Sequence, residues 1–100
     1  MGESLPTGSG AHVLRKRLTI LNSRGLHARA AAKLVGVAER YSAHLTVSRD
    51  GVSVPAVSIM GLMMLGAGQG SEIELSAEGW DAKEAIEAVA ALIEARFHED

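Results

Sequence analysis

The sequence contains no cysteine, and this absence removes several kinds of chemistry at once. Disulfide bonds, thiolate catalysis and cysteine-based zinc or iron–sulfur sites are all excluded. Only three residues are aromatic, Tyr41, Trp80 and Phe97, and they are scattered along the chain. We therefore expect no stacking platform for nucleic acid. The longest nearly apolar stretch, Ile59–Ala67, is too short to span a bilayer, so we expect no membrane segment either.

The composition that remains is typical of one small, packed domain. The chain has 100 residues, 47% of them hydrophobic, and sixteen are alanine, which favours helices and a core of small side chains. Residues 1–50 hold eight Lys or Arg and three Asp or Glu, a net charge of +5. Residues 51–100 hold two and nine, a net charge of −7. This split predicts a basic face and an acidic face.

Residues 1–12 have neither a basic start nor an apolar run, so they are unlike a signal peptide. We expect them to form a flexible N-terminal tail. Residues 13–100 are then one domain, and we expect the protein to be cytoplasmic.

Hydrophobic periodicity and turn residues predict four strands and three helices. Asp50-Gly51 is typical of a type I′ hairpin turn. Ser58 is a good N-cap for the short second helix, and Asp81 with Glu84 predicts a capping box for the last. In chain order the predicted elements are strand Val13–Leu21, helix Ala28–Arg40, strand His44–Arg49, strand Val52–Val54, helix Ile59–Leu65, strand Glu72–Ala77 and a helix from Asp81 through Phe97.

This order of elements, βαββαβα, predicts an α+β fold. Four short strands with helices on one face form an open-faced β-sandwich. A right-handed crossover through the first helix leaves the first two strands parallel but not adjacent, with the fourth strand between them. The predicted sheet is antiparallel between neighbours, with the order 1-4-2-3.

A histidine lies where the first loop becomes a helix, in residues 25–32. The first turn of a helix offers unpaired N–H groups and a partial positive charge, which together bind phosphate readily. Arg29 adds a planar set of donors, and a neutral histidine is a nucleophile near neutral pH. The pattern indicates phosphoryl chemistry at His27. The alternative is a cap or surface histidine, whereas a metal site is disfavoured because the four histidines lack ligand spacing.

The second segment of interest is Val57–Leu65. If Leu62 and Leu65 face the core, then Ile59, Met60 and Met63 lie on the other side, as an adaptable docking surface. The alternative is that all of these residues are core, since seven residues cannot settle a periodicity.

At these segments the sequence resembles the HPr family, the histidine-containing phosphocarriers of the bacterial phosphotransferase system. The family's active-site pattern, Gly-Leu-His-x-Arg-Pro-Ala, is matched by residues 25–31. Its regulatory pattern, Lys-Ser-Ile-Met-Gly-x-Met-x-Leu, is matched by residues 57–65, and Ala-Glu-Gly-x-Asp by residues 77–81. The resemblance extends from Val13 to about Phe97, in order and with matching spacing.

The resemblance implies that His27 accepts a phosphoryl group at Nδ1 from phosphorylated enzyme I, with phosphoenolpyruvate as its source. His27 would then pass the group to a histidine of an enzyme IIA domain, and Arg29 would help to hold it. Ser58 resembles the serine that HPr kinase/phosphorylase phosphorylates in relatives. The protein would be a monomeric carrier without cofactor or metal, rather than a stand-alone enzyme.

Partner docking is also implied by the resemblance. Ile59, Met60 and Met63 would dock both partners, and the positive charges of Arg24, Arg29 and Lys33 suit acidic partners.

Two positions depart from the family patterns, and two alternatives stay open. Ala30 replaces the proline that usually stiffens the helix start, and Val57 replaces a basic residue before the serine.

The sequence does not separate a carrier for sugar uptake from one of the nitrogen-related regulatory branch. A regulator that acts by binding kinases or transcription regulators is the alternative function.

Overall fold

The computed structural model describes residues 13–99, and it confirms the predicted order of elements. The predicted tail over residues 1–12 lies outside the described residues, as does Asp100. Predicted boundaries agree to within about two residues for every element except the last helix, whose end differs. The elements are β1 (Val13–Thr19), α1 (Ala28–Ala38), β2 (His44–Arg49), β3 (Val52–Pro55), α2 (Ile59–Met64), β4 (Glu72–Glu78) and α3 (Ala82–Glu94).

The four strands form one antiparallel sheet with the order β1-β4-β2-β3, as predicted. The register places Leu18 opposite Ile73, and Val47 opposite both Leu75 and Val54. The β2–β3 turn has positive φ at both Asp50 (+51°) and Gly51 (+82°), which is the predicted type I′ geometry.

One face of the sheet is buried, and the helices cover it. Alternate side chains of β2 and β4 are buried on this face: Leu45, Val47, Ile73, Leu75 and Ala77. α3 packs on β1, β2 and β4, and α1 packs against α2 and α3. Ten of the buried core residues in the described chain are alanine, so the helices approach one another and the sheet closely. The predicted open-faced α+β sandwich is confirmed.

On the other face of the sheet, charges from the basic half and the acidic half of the sequence pair with each other. Arg17 lies 3.2 Å from the Glu72 carboxylate, and Arg15 lies 3.9 Å from that of Glu74. These pairs form because β1, from the basic half, is hydrogen-bonded to β4, from the acidic half. Basic side chains from the first half of the sequence are thus partly neutralised by acidic side chains from the second half.

The start of α3 does not form the predicted capping box. Within the described chain, Asp81 makes no side-chain cap bond to the helix. Its buried carboxylate instead accepts hydrogen bonds from the backbone N–H groups of Ser42 (2.9 Å) and Ala43 (2.8 Å). Asp81 therefore ties the segment before β2 to α3, a long-range role that the local sequence pattern does not predict.

The end of α3 also differs from the prediction, because the helix stops at Glu94 and does not continue through Phe97. Arg96, Phe97 and His98 have φ values of +57°, +55° and +57°, which form a left-handed turn. This conformation costs about 1–2 kcal/mol for each L-residue. The turn buries the Phe97 side chain completely in the core, and that burial offsets part of the cost.

Candidate functional site

The loop before α1 is positioned by a glycine. Gly25 has φ of +65°, and a Cβ at this position would meet the carbonyl oxygen of Ala67 and lie 2.7 Å from the Gly68 Cα. The next residue, Leu26, is buried and donates its N–H to the Ala67 carbonyl (2.9 Å). The start of α1 is therefore fixed against the segment that follows α2, and only glycine fits this junction.

His27 is the N-cap residue of α1. Its backbone carbonyl accepts from the Ala31 N–H (2.8 Å), but within the described chain its side chain makes no capping hydrogen bond. Ala30 and Ala31 are buried against the core, whereas Ala28 and Arg29 are exposed. The imidazole thus leaves the first-turn N–H groups of α1 uncapped, at a helix end with small side chains around it.

The ring of His27 is held by a carboxylate that the sequence analysis did not identify. His27 Nε2 lies 2.6 Å from Glu99 Oε2, and both side chains are largely shielded from solvent. Asn22 Nδ2 donates to Glu99 Oε1 (2.8 Å) and to the Gly25 carbonyl (2.8 Å). Within residues 13–99, the structure shows no hydrogen bond on the other ring nitrogen of His27, Nδ1.

The pKa of Glu99 is lowered from its ordinary value. The hydrogen bond from Asn22 is the largest cause, followed by that from His27, and the positive charge of Lys33 acts in the same direction. These effects outweigh partial desolvation, which raises the pKa. Glu99 is therefore an ionised carboxylate at neutral pH.

The basic residues near this helix end have different surroundings. Arg24 and Arg29 are exposed, and neither pairs with any residue from 13 to 99, so their guanidinium groups face solvent. Lys33 instead donates from Nζ to the Phe97 carbonyl (2.6 Å) and so binds the C-terminal turn. Of the three predicted basic docking residues, Lys33 alone has its charged group engaged within the described structure.

The Ser58 segment has the predicted local geometry. Ser58 Oγ accepts from the Gly61 N–H (2.9 Å), which makes it a true N-cap of α2. Leu62 and Leu65 are buried, and Arg49 caps the other helix end by donating to the Leu65 carbonyl (3.0 Å).

The outward side of this segment is apolar. The exposed fractions are 40% for Ile59, 73% for Met60 and 44% for Met63, as the docking hypothesis requires. Two further exposed residues, Val57 (54%) and Met64 (81%), extend the surface beyond the prediction. We call these five residues the methionine patch.

Neither a metal-binding cluster nor a membrane-spanning helix is found in the described part of the chain. Between residues 13 and 99, no three histidine, aspartate or glutamate side chains come together as a metal ion would need. No helix within the same range is long and apolar enough to cross a bilayer.

Known proteins match this chain over most of its length. The family model for the PTS HPr component phosphorylation site matches residues 14–95. The phosphocarrier protein HPr of Cupriavidus necator is 48% identical over 87 residues, which cover 87% of this chain and 98% of the relative. The phosphocarrier protein NPr of Shewanella violacea is 42% identical over 86 residues, covering 86% and 94%.

A solved structure agrees with these relatives in both sequence and fold. The crystal structure of HPr-C-His from Thermoanaerobacter tengcongensis superposes with a TM-score of 0.84 at 46% identity. The match covers 87% of this chain and 98% of that one. A chain with this sheet order, this histidine at a helix start and these relatives belongs to the HPr family of phosphocarrier proteins.

Proposed function

We propose that His27 accepts a phosphoryl group at Nδ1 from phosphorylated enzyme I and passes it to a histidine of an enzyme IIA domain. One observation carries this proposal: His27 is the N-cap residue of α1, but its ring does not cap the helix. The first-turn N–H groups stay available to phosphoryl oxygens, and the helix dipole favours the negative charge. Since Nε2 is bound to Glu99, Nδ1 is the nitrogen left to react.

The chemistry suits a carrier, which must release its phosphoryl group as easily as it accepts it. The donors of the first turn are in place before the reaction, so little reorganisation accompanies the arrival of charge. The exposed Arg29 guanidinium is two residues away and supplies further donors for phosphoryl oxygens. On this proposal the protein is a cytoplasmic monomer that needs no cofactor, because its partners bring the rest of each active site.

The methionine patch is the docking surface of the proposal, centred on Ile59, Met60 and Met63. Methionine side chains adapt to differently shaped surfaces, so one patch serves both enzyme I and enzyme IIA. The α1 start is fixed to the segment after α2 through the Leu26 N–H, so the patch and His27 lie on elements that contact each other. Arg24 and Arg29 face solvent and speed the encounter with acidic partners.

Ser58 is a regulatory phosphorylation site in this proposal, modified by an ATP-dependent HPr kinase/phosphorylase. The hydroxyl already accepts from the Gly61 N–H, and phosphate oxygens would accept from the same helix end. The fold should therefore tolerate the modification. Its negative charge would lie beside the methionine patch and repel an acidic partner, which would slow transfer from enzyme I.

A second candidate function is regulation by binding alone, with kinases or transcription regulators as partners. The five exposed apolar side chains of the methionine patch favour it, since such patches mark interaction surfaces. For the phosphocarrier function, sugar uptake and nitrogen-related regulation are the two physiological roles that the proposal keeps, and relatives named HPr and NPr both match the chain.

Phosphorylation by enzyme I and phosphoenolpyruvate, measured by intact mass, tests the carrier function. The wild type should take up one phosphoryl group and His27→Ala none. His44→Ala is the matched control, because His44 is an exposed histidine on β2, and it should be labelled like the wild type. Undiminished labelling of His27→Ala would exclude His27 as the acceptor. An unlabelled wild type would favour regulation by binding alone.

A further inference from the structure

The turn after α3 places Glu99 at the start of α1. Three consecutive residues without glycine, Arg96–His98, adopt positive φ and form a left-handed turn. The turn is held by the buried Phe97 ring and by the Lys33 ammonium on the Phe97 carbonyl at 2.6 Å. A disfavoured backbone conformation that the surrounding structure holds in place is typical of functional sites.

Both oxygens of the Glu99 carboxylate are bound. Oε2 lies 2.6 Å from His27 Nε2, and Oε1 accepts from Asn22 Nδ2 at 2.8 Å. Asn22 is fully buried, and its Nδ2 also donates to the Gly25 carbonyl. Because both partners of that nitrogen are acceptors, the orientation of the amide is fixed and so is that of the carboxylate.

An ionised carboxylate only accepts hydrogen bonds, so the ring nitrogen that faces it must carry hydrogen. A neutral His27 then has its proton on Nε2 and its lone pair on Nδ1. Among the described residues, the charged groups that act on the Glu99 carboxylate are His27 and Lys33, and the lowered pKa of Glu99 keeps it ionised.

We propose that Glu99, oriented by Asn22, is a positioning residue for His27: it keeps the proton on Nε2 and leaves the lone pair of Nδ1 for phosphoryl transfer. The inference rests on the proposed phosphocarrier function. Asn22 and Glu99 are outside the motifs that predicted the site. They fix the orientation of the His27 imidazole, which the helix end alone does not do.

The transfer step balances without proton movement. The donor is taken as a phosphohistidine of enzyme I that carries hydrogen on its other ring nitrogen. The Nδ1 lone pair of His27 forms the new N–P bond while the donor N–P bond breaks, and that electron pair stays on the donor nitrogen and leaves a neutral ring. His27 keeps its Nε2 proton, so its ring gains positive charge that the Glu99 carboxylate offsets. In the onward step the N–P bond of His27 breaks and its electron pair returns to Nδ1.

Glu99→Gln tests this role, since the amide keeps the size of the side chain but loses its charge and can present a donor to the ring. Long-range ¹H–¹⁵N NMR of His27, recorded at increasing pH until the ring spectrum no longer changes, reports which nitrogen carries the proton in the neutral ring. We expect the Nδ1-protonated fraction to rise in the variant. The rate of phosphoryl transfer from enzyme I should fall about tenfold, the lower end of the losses seen when the carboxylate that orients a metal-bound histidine is removed.

Glu87→Gln is the matched control, because Glu87 is exposed on α3 and its substitution removes the same charge. This variant should keep the wild-type ring spectrum and transfer rate, and thermal unfolding should show all three proteins folded. An unchanged proton position or an unchanged transfer rate in Glu99→Gln would overturn the positioning role, even where the wild type is labelled normally. A wild type that accepts no phosphoryl group would overturn the proposed function itself, and the ring spectrum does not depend on that result.

Discussion

The N-termini of α1 and α2 differ in what their N-cap side chains bind. At α2 the Ser58 hydroxyl accepts from the Gly61 N–H at 2.9 Å, so one first-turn donor is used by the protein itself. At α1 the His27 ring makes no such bond within the described chain and lies instead against Glu99 at 2.6 Å. A capped end is complete, whereas an uncapped end keeps its donors for a ligand.

Ser58 and His27 therefore differ in role, although both are N-cap residues: Ser58 stabilises its helix, whereas His27 is available for chemistry. Phosphate on Ser58 would replace an existing cap, and a serine phosphoester is stable enough to act as a lasting signal. A phosphoryl group on His27 would displace no cap, and its N–P bond is labile enough to be passed on. The two proposed modifications therefore differ both in what they replace at the helix end and in the stability of the bond that is formed.

The junction that holds the His27 end should show the largest effect. Gly25→Ala introduces a Cβ at φ of +65°, against the backbone of Ala67 and Gly68. We expect a loss of about 2–4 kcal/mol in the free energy of unfolding, because positive φ and a backbone clash act together. Urea unfolding at equilibrium measures it.

Gly36→Ala is the control for this substitution. Gly36 lies within α1, and a Cβ there meets nothing within 4 Å. Alanine should stabilise the helix by about 0.5–1 kcal/mol. If both variants changed stability alike, the junction would not be what positions the α1 start.

The next effect concerns rate rather than stability. Met60 is 73% exposed in the methionine patch, so Met60→Glu should leave the unfolding temperature unchanged. Phosphoryl transfer from enzyme I should slow by about tenfold, since a charge is placed on an apolar docking surface and repels an acidic partner. Stopped-flow or quench-flow transfer kinetics measure it.

Trp80→Glu adds the same charge at an apolar residue that is 85% exposed beside α3. Transfer should continue at the wild-type rate in this variant. Equal slowing by both substitutions would mean that net charge, and not the methionine patch, sets the rate.

The smallest effect compares the two N-caps directly. Ser58→Ala removes a side-chain cap and should cost about 1 kcal/mol in the free energy of unfolding. His27→Ala in a Glu99→Ala background should cost less, because the bond between the ring and Glu99 is already absent there and no cap is lost. Urea unfolding of each variant against its own background checks the order, and a larger loss for His27→Ala would show that the histidine caps the helix end.

The sequence predicted those parts of the fold that depend on local patterns. Alternation in β2 and β4 gave the buried face, Asp50-Gly51 gave the hairpin, and Ser58 was correctly placed as a cap. His27 was identified because a histidine at a helix start, followed by an arginine, is a pattern that a few consecutive residues contain. The sheet order followed from handedness and chain order, and it needed no side-chain contact.

The parts that failed depend on contacts between distant residues. Asp81 and Glu84 have the spacing of a capping box, but the Asp81 carboxylate is taken by the N–H groups of Ser42 and Ala43, some 40 residues earlier. Glu99 reaches His27 only through a left-handed turn without glycine, for which the sequence has no local signal.

The most direct test of the account is the position of the N–P bond in the phosphorylated protein. ¹⁵N and ³¹P NMR of the protein after reaction with enzyme I and phosphoenolpyruvate identifies the residue and the ring nitrogen that carry phosphorus. We expect one bond, at Nδ1 of His27, with hydrogen retained on Nε2. Phosphorus on Nε2 of His27, on any other histidine or on Ser58 would contradict the proposed mechanism.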